Sequence, residues 1–160
     1  MEKKTIEINI TIYQFDELGL EDKKLINNAK DEVHKAYAPY SKFQVGAAIA
    51  LENGEIVTGN NQENSAYPSG LCAERVAMFY ANAKYPNSAP KTLAIAAFTN
   101  NEFLLEPITP CGSCRQVLIE TEIRFDKKIR ILLYGTEYIY LIESVKQLLP
   151  LCFEKNSLQG

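Results

Sequence analysis

An α/β fold, with a mixed central sheet covered by helices, is predicted by three features of the sequence. A hairpin pattern surrounds Asn53-Gly54, a strand–loop–helix pattern occurs twice after it, and no repeat, low-complexity tract or Gly/Ser linker interrupts the chain. The 160 residues suit a single domain, 1–160, at the usual ~100 to 200 residues each, and need neither disulfides nor a partner to bury a core.

Residues 5–13 alternate strictly, which sets Ile6, Ile8, Ile10 and Ile12 on one face of a strand. In EDKKLINNAKDEVHKAY the residues Leu25, Ile26, Ala29, Val33 and Ala36 recur at helical spacing, and the helix stops before Pro39. KFQVGAAIAL and EIVTG read as two strands joined by Glu52-Asn53-Gly54-Glu55, a turn whose positive φ angles suit a tight hairpin. Residues 60–70 form a polar loop, and a helix from Cys72 to Ala83 groups Val76, Phe79 and Tyr80 on one side. A strand over Lys91–Phe98, a loop over Asn100–Pro110 and a helix through CGSCRQVLIET repeat that order. Lys128–Tyr134 is a buried strand, Tyr138–Ile142 a short one, and Ser144–Leu149 a helix ended by Pro150. Ligands belong in the loops that follow the strands.

Charge excludes one class of partner. The balance of 17 basic to 20 acidic residues gives −3, with no basic block to condense on a phosphate backbone, so long nucleic acid is not expected. No apolar run reaches the ~20 residues of a membrane span and MEKKTIEINI lacks the apolar stretch of a signal peptide, which makes the cytoplasm the default compartment. Four cysteines are too few for a disulfide scaffold and suit metal binding or redox chemistry. His34 is the single histidine, and its helical neighbours mark it as a helix-flank residue. Histidine triads and sites with two imidazoles are thereby excluded, leaving carboxylates, thiols and amides to carry the chemistry.

Three cysteines stand at the starts of the two later helices: Cys72 in Cys72-Ala73-Glu74-Arg75, and Cys111 and Cys114 in Pro110-Cys111-Gly112-Ser113-Cys114-Arg115-Gln116. Helix N-termini stabilise thiolates, and residues three apart share a helix face, so Cys111 and Cys114 can grip one ion that Cys72 completes as a third ligand. Three protein ligands leave a tetrahedral zinc one open position, the mark of a catalytic site. Glu74 falls beside that position without being a ligand, where it can take a proton from the attacking water and return it to a substrate nitrogen. Three thiolates on Zn²⁺ sum to −1, and Arg75 is placed to draw charge off a ligand sulfur.

Together with Glu63-Asn64-Ser65-Ala66-Tyr67, Tyr37-Ala38-Pro39-Tyr40-Ser41-Lys42-Phe43 and Val45-Gly46-Ala47-Ala48, these motifs make the chain resemble the small homotetrameric zinc-dependent cytidine deaminases. The likeness runs from about Leu18 to Phe153, five separated motifs in the family's order, with residues 1–16 as an extra N-terminal strand. It implies the three-layer fold of that family, one Zn²⁺ per chain on Cys72, Cys111 and Cys114, and Glu74 as proton shuttle. It further implies that Asn61 and Glu63 hold the ribose, that Phe43 and Ala73 contact the nucleoside, and that Tyr67 and Phe153 complete sites shared between subunits of a homotetramer. The activity implied is hydrolysis of cytidine and 2′-deoxycytidine to uridine and 2′-deoxyuridine, a step of pyrimidine salvage. Free cytosine, which leaves Asn61 and Glu63 without a sugar, is then a poor substrate. A 5′-phosphate finds no Lys or Arg between Val45 and Leu71 to receive it.

Other readings of the same residues stand beside this one. Cys111-Gly112-Ser113-Cys114 has the spacing of a dithiol oxidoreductase, which leaves Cys72-Ala73-Glu74 unexplained. A structural zinc needs a fourth ligand such as Cys152, which otherwise reads as a small buried hydrophobe. A related deaminase of blasticidin-type aminopyrimidine nucleosides uses a similar motif set. By composition alone Phe43 and Tyr67 are core residues, and Asn61 and Glu63 are solvated loop residues.

Overall fold

Successive residues of the central strands face opposite sides of the sheet, and here both sides are apolar. In the computed structural model, which describes residues 1–158, the elements are β1 (Thr11–Tyr13), α1 (Leu20–Val33), β2 (Gln44–Leu51), β3 (Ile56–Asn60), α2 (Ala73–Lys84), β4 (Pro90–Thr99), β5 (Glu102–Phe103), α3 (Gly112–Phe125), β6 (Arg130–Tyr134) and β7 (Ile139–Ile142). The sheet order is β1-β7-β6-β4-β2-β3, with β5 added to β4. The β4–β6 pair is parallel and the others antiparallel, so the sheet is mixed as the sequence predicts.

One side of the sheet, with Ala48, Ala94, Ala96 and Leu132, is covered by Leu25, Ile26, Ala29 and Val33 of α1. The other side, with Ala47, Ile49, Leu93, Ile95, Ile131 and Leu133, is covered by α2 and α3. This is the three-layer arrangement. Two glycines set how closely the helices approach. A Cβ on Gly46 would lie 2.0 Å from the Ala29 carbonyl oxygen of α1, and one on Gly59 would lie 2.6 Å from the Ala77 backbone nitrogen of α2.

Five expectations are corrected. The N-terminal strand covers only Thr11–Tyr13, because β7 offers partners only from Ile139 to Leu141 and no strand continues past it. Ile6, Ile8, Ile10 and Ile12 accordingly remain exposed. Only Gly54 of the hairpin turn has positive φ, +87°. Asn53 instead accepts a hydrogen bond from the Glu55 amide at 3.1 Å, and Leu51 accepts one from the Gly54 amide, giving a longer turn than a two-residue loop. The buried face of α2 is Ala73, Ala77, Met78 and Ala81, not the Val76, Phe79 and Tyr80 side; small residues face the sheet because the helix lies close to Gly59. The loop after β4 turns at Asn100 and Asn101, both at positive φ, and returns as β5. Residues 144–149 contain a single 3₁₀ turn, Val145–Gln147, capped by Ser144, in place of the helix. That segment is tied to α3 by buried Glu122, which accepts hydrogen bonds from the Val145 amide at 2.8 Å, the Ile129 amide at 2.7 Å and the Ser144 hydroxyl at 2.9 Å.

His34 caps the end of α1 and packs edge-on against Phe98 and Phe103, a helix-flank role as predicted. No helix among the described residues is long and apolar enough to cross a membrane.

Candidate active site

Cys72 and Cys111 are the N-cap residues of α2 and α3, both with extended backbone (φ −70°, ψ 153° and φ −65°, ψ 166°). Neither thiol caps its own helix. The sulfurs turn toward each other, 3.8 Å apart, and Cys111 lies 3.4 Å from Cys114 in the first turn of α3. All three sulfurs fall within 4.8 Å of one another. A tetrahedral ion with metal–sulfur bonds of ~2.3 Å has ligand sulfurs about 3.8 Å apart, so the three thiols fit zinc by type and spacing. Cys152 is not in this cluster; it packs partly buried against the α2–α3 side of the core, as a small hydrophobe.

The electrostatics single out one thiol. Cys72 is lowered to about 5, chiefly by its hydrogen bond with Cys114 and then by the Arg75 guanidinium, whose Nη2 lies 3.8 Å from the Cys72 sulfur. Cys114 is raised by that same hydrogen bond, by burial and by the nearby Glu74 carboxylate. Arg75 therefore meets the Cys72 sulfur, and its Nε is buried without a partner among the described residues.

Glu74, 5% exposed in the first turn of α2, has its carboxyl pushed up by burial and by the charge of Cys72. A carboxyl raised in this way holds and releases a proton closer to neutrality than an exposed one. Gly59 fixes its depth, because the missing Cβ lets the start of α2 rest on β3.

A cavity of about 290 Å³ opens beside the thiols and is lined by Tyr40, Asn61, Glu63, Tyr67, Cys72 and Arg75, among others. A larger cavity, about 630 Å³, near Pro39 and Phe98 is lined by no thiol or carboxylate. Of the predicted substrate residues, Asn61, Glu63 and Tyr67 reach the smaller cavity, while Phe43, Ala73 and Phe153 are not among its lining residues. Phe43 is half-buried, Ala73 is buried against β3, and Tyr67 and Phe153 are 79% and 60% exposed.

Asn61 and Glu63 are already partnered. The Asn61 side chain accepts from the Val45 amide at 2.8 Å and donates to the Phe43 carbonyl at 2.9 Å, which fixes the start of β2. Glu63 accepts from the Tyr40 amide at 2.9 Å and from the backbone and hydroxyl of Ser41, and these bonds hold its carboxyl below the usual range, the Ser41 hydroxyl foremost. Tyr40 and Ser41 were not singled out by sequence reasoning, although they stand three and two residues before Phe43. Arg115 was missed as well. It binds the Pro110 carbonyl, the Thr109 hydroxyl and the Leu148 carbonyl at 2.8 to 3.0 Å, and so fixes the segment that delivers Cys111.

Residues 20–127 match the model of the cytidine and deoxycytidylate deaminase zinc-binding region. The cytidine deaminase of Sporosarcina psychrophila is 48% identical over 97 residues, 61% of this chain and 67% of that protein. That of Halalkalibacterium halodurans is 42% identical over 96 residues, 60% and 68% of the two chains. The crystal structure of cytidine deaminase from Burkholderia pseudomallei superposes with a TM-score of 0.70 at 37% identity, covering 81% of this chain and 97% of that one. The one from Mycobacterium tuberculosis gives 0.66 at 30% identity, covering 85% and 99%. With three thiols set at zinc-ligand spacing beside a buried glutamate, on a fold shared with these enzymes over most of its length, the chain belongs to the cytidine deaminase family of zinc-binding hydrolases.

Proposed function

We propose that this chain hydrolyses cytidine and 2′-deoxycytidine to uridine and 2′-deoxyuridine with release of ammonia, as a single catalytic domain acting in cytoplasmic pyrimidine salvage. The observation that carries this reading is the meeting of three thiols from two helix N-termini beside buried Glu74. Cys72, Cys111 and Cys114 hold one zinc ion. When bound, zinc supplies Lewis acidity that lowers the pKa of water and makes a nucleophile available at neutral pH.

The chain's own residues do the rest. Glu74 accepts one proton of the water that attacks C4 and delivers it to ring nitrogen N3. It then takes the remaining proton from the new C4 hydroxyl and passes it to the 4-amino nitrogen, which leaves as ammonia while the C4 carbonyl forms. The net change is loss of ammonia and gain of one carbonyl oxygen. Arg75 withdraws charge from the Cys72 sulfur, which keeps a three-thiolate site from becoming too electron-rich to activate water. Asn61 and Glu63, held rigid by β2 and by the Tyr40–Ser41 turn, present their remaining hydrogen-bonding capacity to the sugar. Phe43 packs on the nucleoside, and Ala73 offers its backbone at the start of α2.

A homotetramer with shared sites accounts for apolar side chains that the single chain leaves uncovered. Phe79 and Tyr80 on α2 are 47% and 52% exposed, Tyr67 is exposed at the cavity, and Phe153 is exposed near the end of the chain. In the assembly the last two close a neighbour's pocket.

The test is an absorbance assay for cytidine loss, before and after chelation and again after zinc is restored. Turnover that disappears with the chelator and returns with zinc supports the proposal; chelator-resistant turnover, or none on cytidine, contradicts it. Cytosine and cytidine monophosphate, run in parallel, are expected to react poorly. A preference for the monophosphate would assign the chain to the nucleotide-specific branch of the family.

A further inference from the structure

A buried carboxylate on the far side of the sugar-binding segment is unused by the mechanism above. Glu32, in the last turn of α1, is 9% exposed. It accepts hydrogen bonds from the Thr58 hydroxyl at 3.0 Å, the Asn60 side-chain amide at 2.9 Å and Lys35 Nζ at 2.7 Å. The Asn60 side-chain oxygen in turn accepts from Gln62 Nε2. The Gln62 backbone is bound on both sides of its peptide to Leu71, at 2.9 and 3.0 Å, and Leu71 directly precedes Cys72.

Alternation along this extended segment places Asn60 and Gln62 on one side and Asn61 and Glu63 on the other. The first pair carries the line from Glu32, and the second carries the groups offered to the sugar. The flanking strand contacts are backbone bonds, Tyr37 to the Asn61 carbonyl at 3.0 Å and Glu63 to the Tyr37 carbonyl at 2.8 Å. Such bonds fix the spacing of the segment. Side-chain bonds from a buried anion add a fixed anchor to α1, because a carboxylate removed from water is held tightly by its donors.

We infer that Glu32 is a positioning residue, acting through Asn60 and Gln62 to hold the 61–63 segment and Leu71 in place. It thereby keeps Asn61 and Glu63 aimed at the substrate and Cys72 aimed at the metal. The inference rests on the nucleoside-deaminase reading for its kinetic consequence, though not for its geometry.

Three single variants and one double variant test it. Glu32→Ala and Asn60→Ala each cut the line, whereas Glu32→Gln keeps one oxygen that can accept from Asn60. With cytidine, both cutting variants are expected to raise KM about five- to fiftyfold, with kcat within about threefold of the parent, the size usual for coupled network residues. Glu32→Gln is expected to restore KM to within about threefold of the parent, and the double variant Glu32→Ala/Asn60→Ala to be no worse than the poorer single. Hydrogen exchange gives a readout independent of turnover. The Gln62 and Leu71 amides should exchange faster in both cutting variants, while the amides within α3 keep their protection.

Unchanged KM together with unchanged exchange in Asn60→Ala, which remains available should Glu32→Ala not fold, overturns the inference. So does additivity of the two substitutions. If the parent protein fails to turn over cytidine but the exchange pattern appears, the functional reading fails and the positioning role of Glu32 stands.

Discussion

At an N-cap, Ser, Thr, Asp or Asn normally satisfies one of the helix's orphan amides, and Cys72 and Cys111 both forgo that bond. Their sulfurs converge with Cys114 instead, so local helix stability is given up for a thiol cluster of metal-binding spacing. Replacing Cys111 by Ser should therefore raise the stability of the zinc-free protein by up to ~1 kcal/mol, while zinc and turnover are lost. Thermal melts of the zinc-free forms and metal analysis check both halves; full zinc in Cys111→Ser contradicts the ligand assignment. Protons compete with the metal in a defined sense. The Cys72 thiol is lowered to about 5, but the Cys114 thiol is raised, so a metal ion must displace its proton to bind there. Zinc affinity should consequently fall as pH is lowered and rise as pH is raised through neutrality, measurable by competition with a chelating dye. Affinity independent of pH would show that Cys114 is not a ligand.

Among the elements, α2 carries most of the site, and its placement depends on what β3 lacks. A methyl group on Gly59 would meet the Ala77 nitrogen at 2.6 Å and the Ala73 carbonyl oxygen at 2.9 Å, both backbone atoms that cannot swing aside. Gly59→Ala is thus expected to destabilise the fold by ~1 to 3 kcal/mol and to weaken zinc binding, since Cys72 and Glu74 move with the helix. Calorimetry and metal titration test this, and an unchanged zinc affinity would separate the helix position from the site. The meeting of three thiols beside Glu74 was legible in the sequence because Cys72-Ala73-Glu74 and Cys111-Gly112-Ser113-Cys114 both stand at helix starts. The buried face of α2 was not, because its apolar periodicity favoured Val76, Phe79 and Tyr80, and only the close approach at Gly59 makes the smaller alanines the inward side. Likewise the alternation of residues 5–13 marks strand propensity, but a strand forms only as far as a neighbour exists, and β7 is four residues long. The partners of Asn61 and Glu63 were hidden for a related reason: they come from Phe43, Val45, Tyr40 and Ser41, some 16 to 23 residues away in sequence.

Taken as a whole, one sheet places both helix N-termini of the site on the same side, where α2 follows the β2–β3 hairpin and α3 follows β4 and β5. What the single chain leaves open is the outer face, where Phe79, Tyr80, Tyr67 and Phe153 are exposed. Light scattering at assay concentration should give the mass of four chains, and a fully active monomer would free Tyr67 and Phe153 from any role in a neighbour's pocket. The most direct measurement of the central claim is made on Glu74→Gln, with zinc content and cytidine turnover determined on the same preparation. The amide preserves size and cannot carry the proton, so zinc should stay at the level of the parent protein while turnover falls by at least ~10²-fold. Turnover near that of the parent, with zinc in place, would show that the proton is carried by another group and would contradict the account.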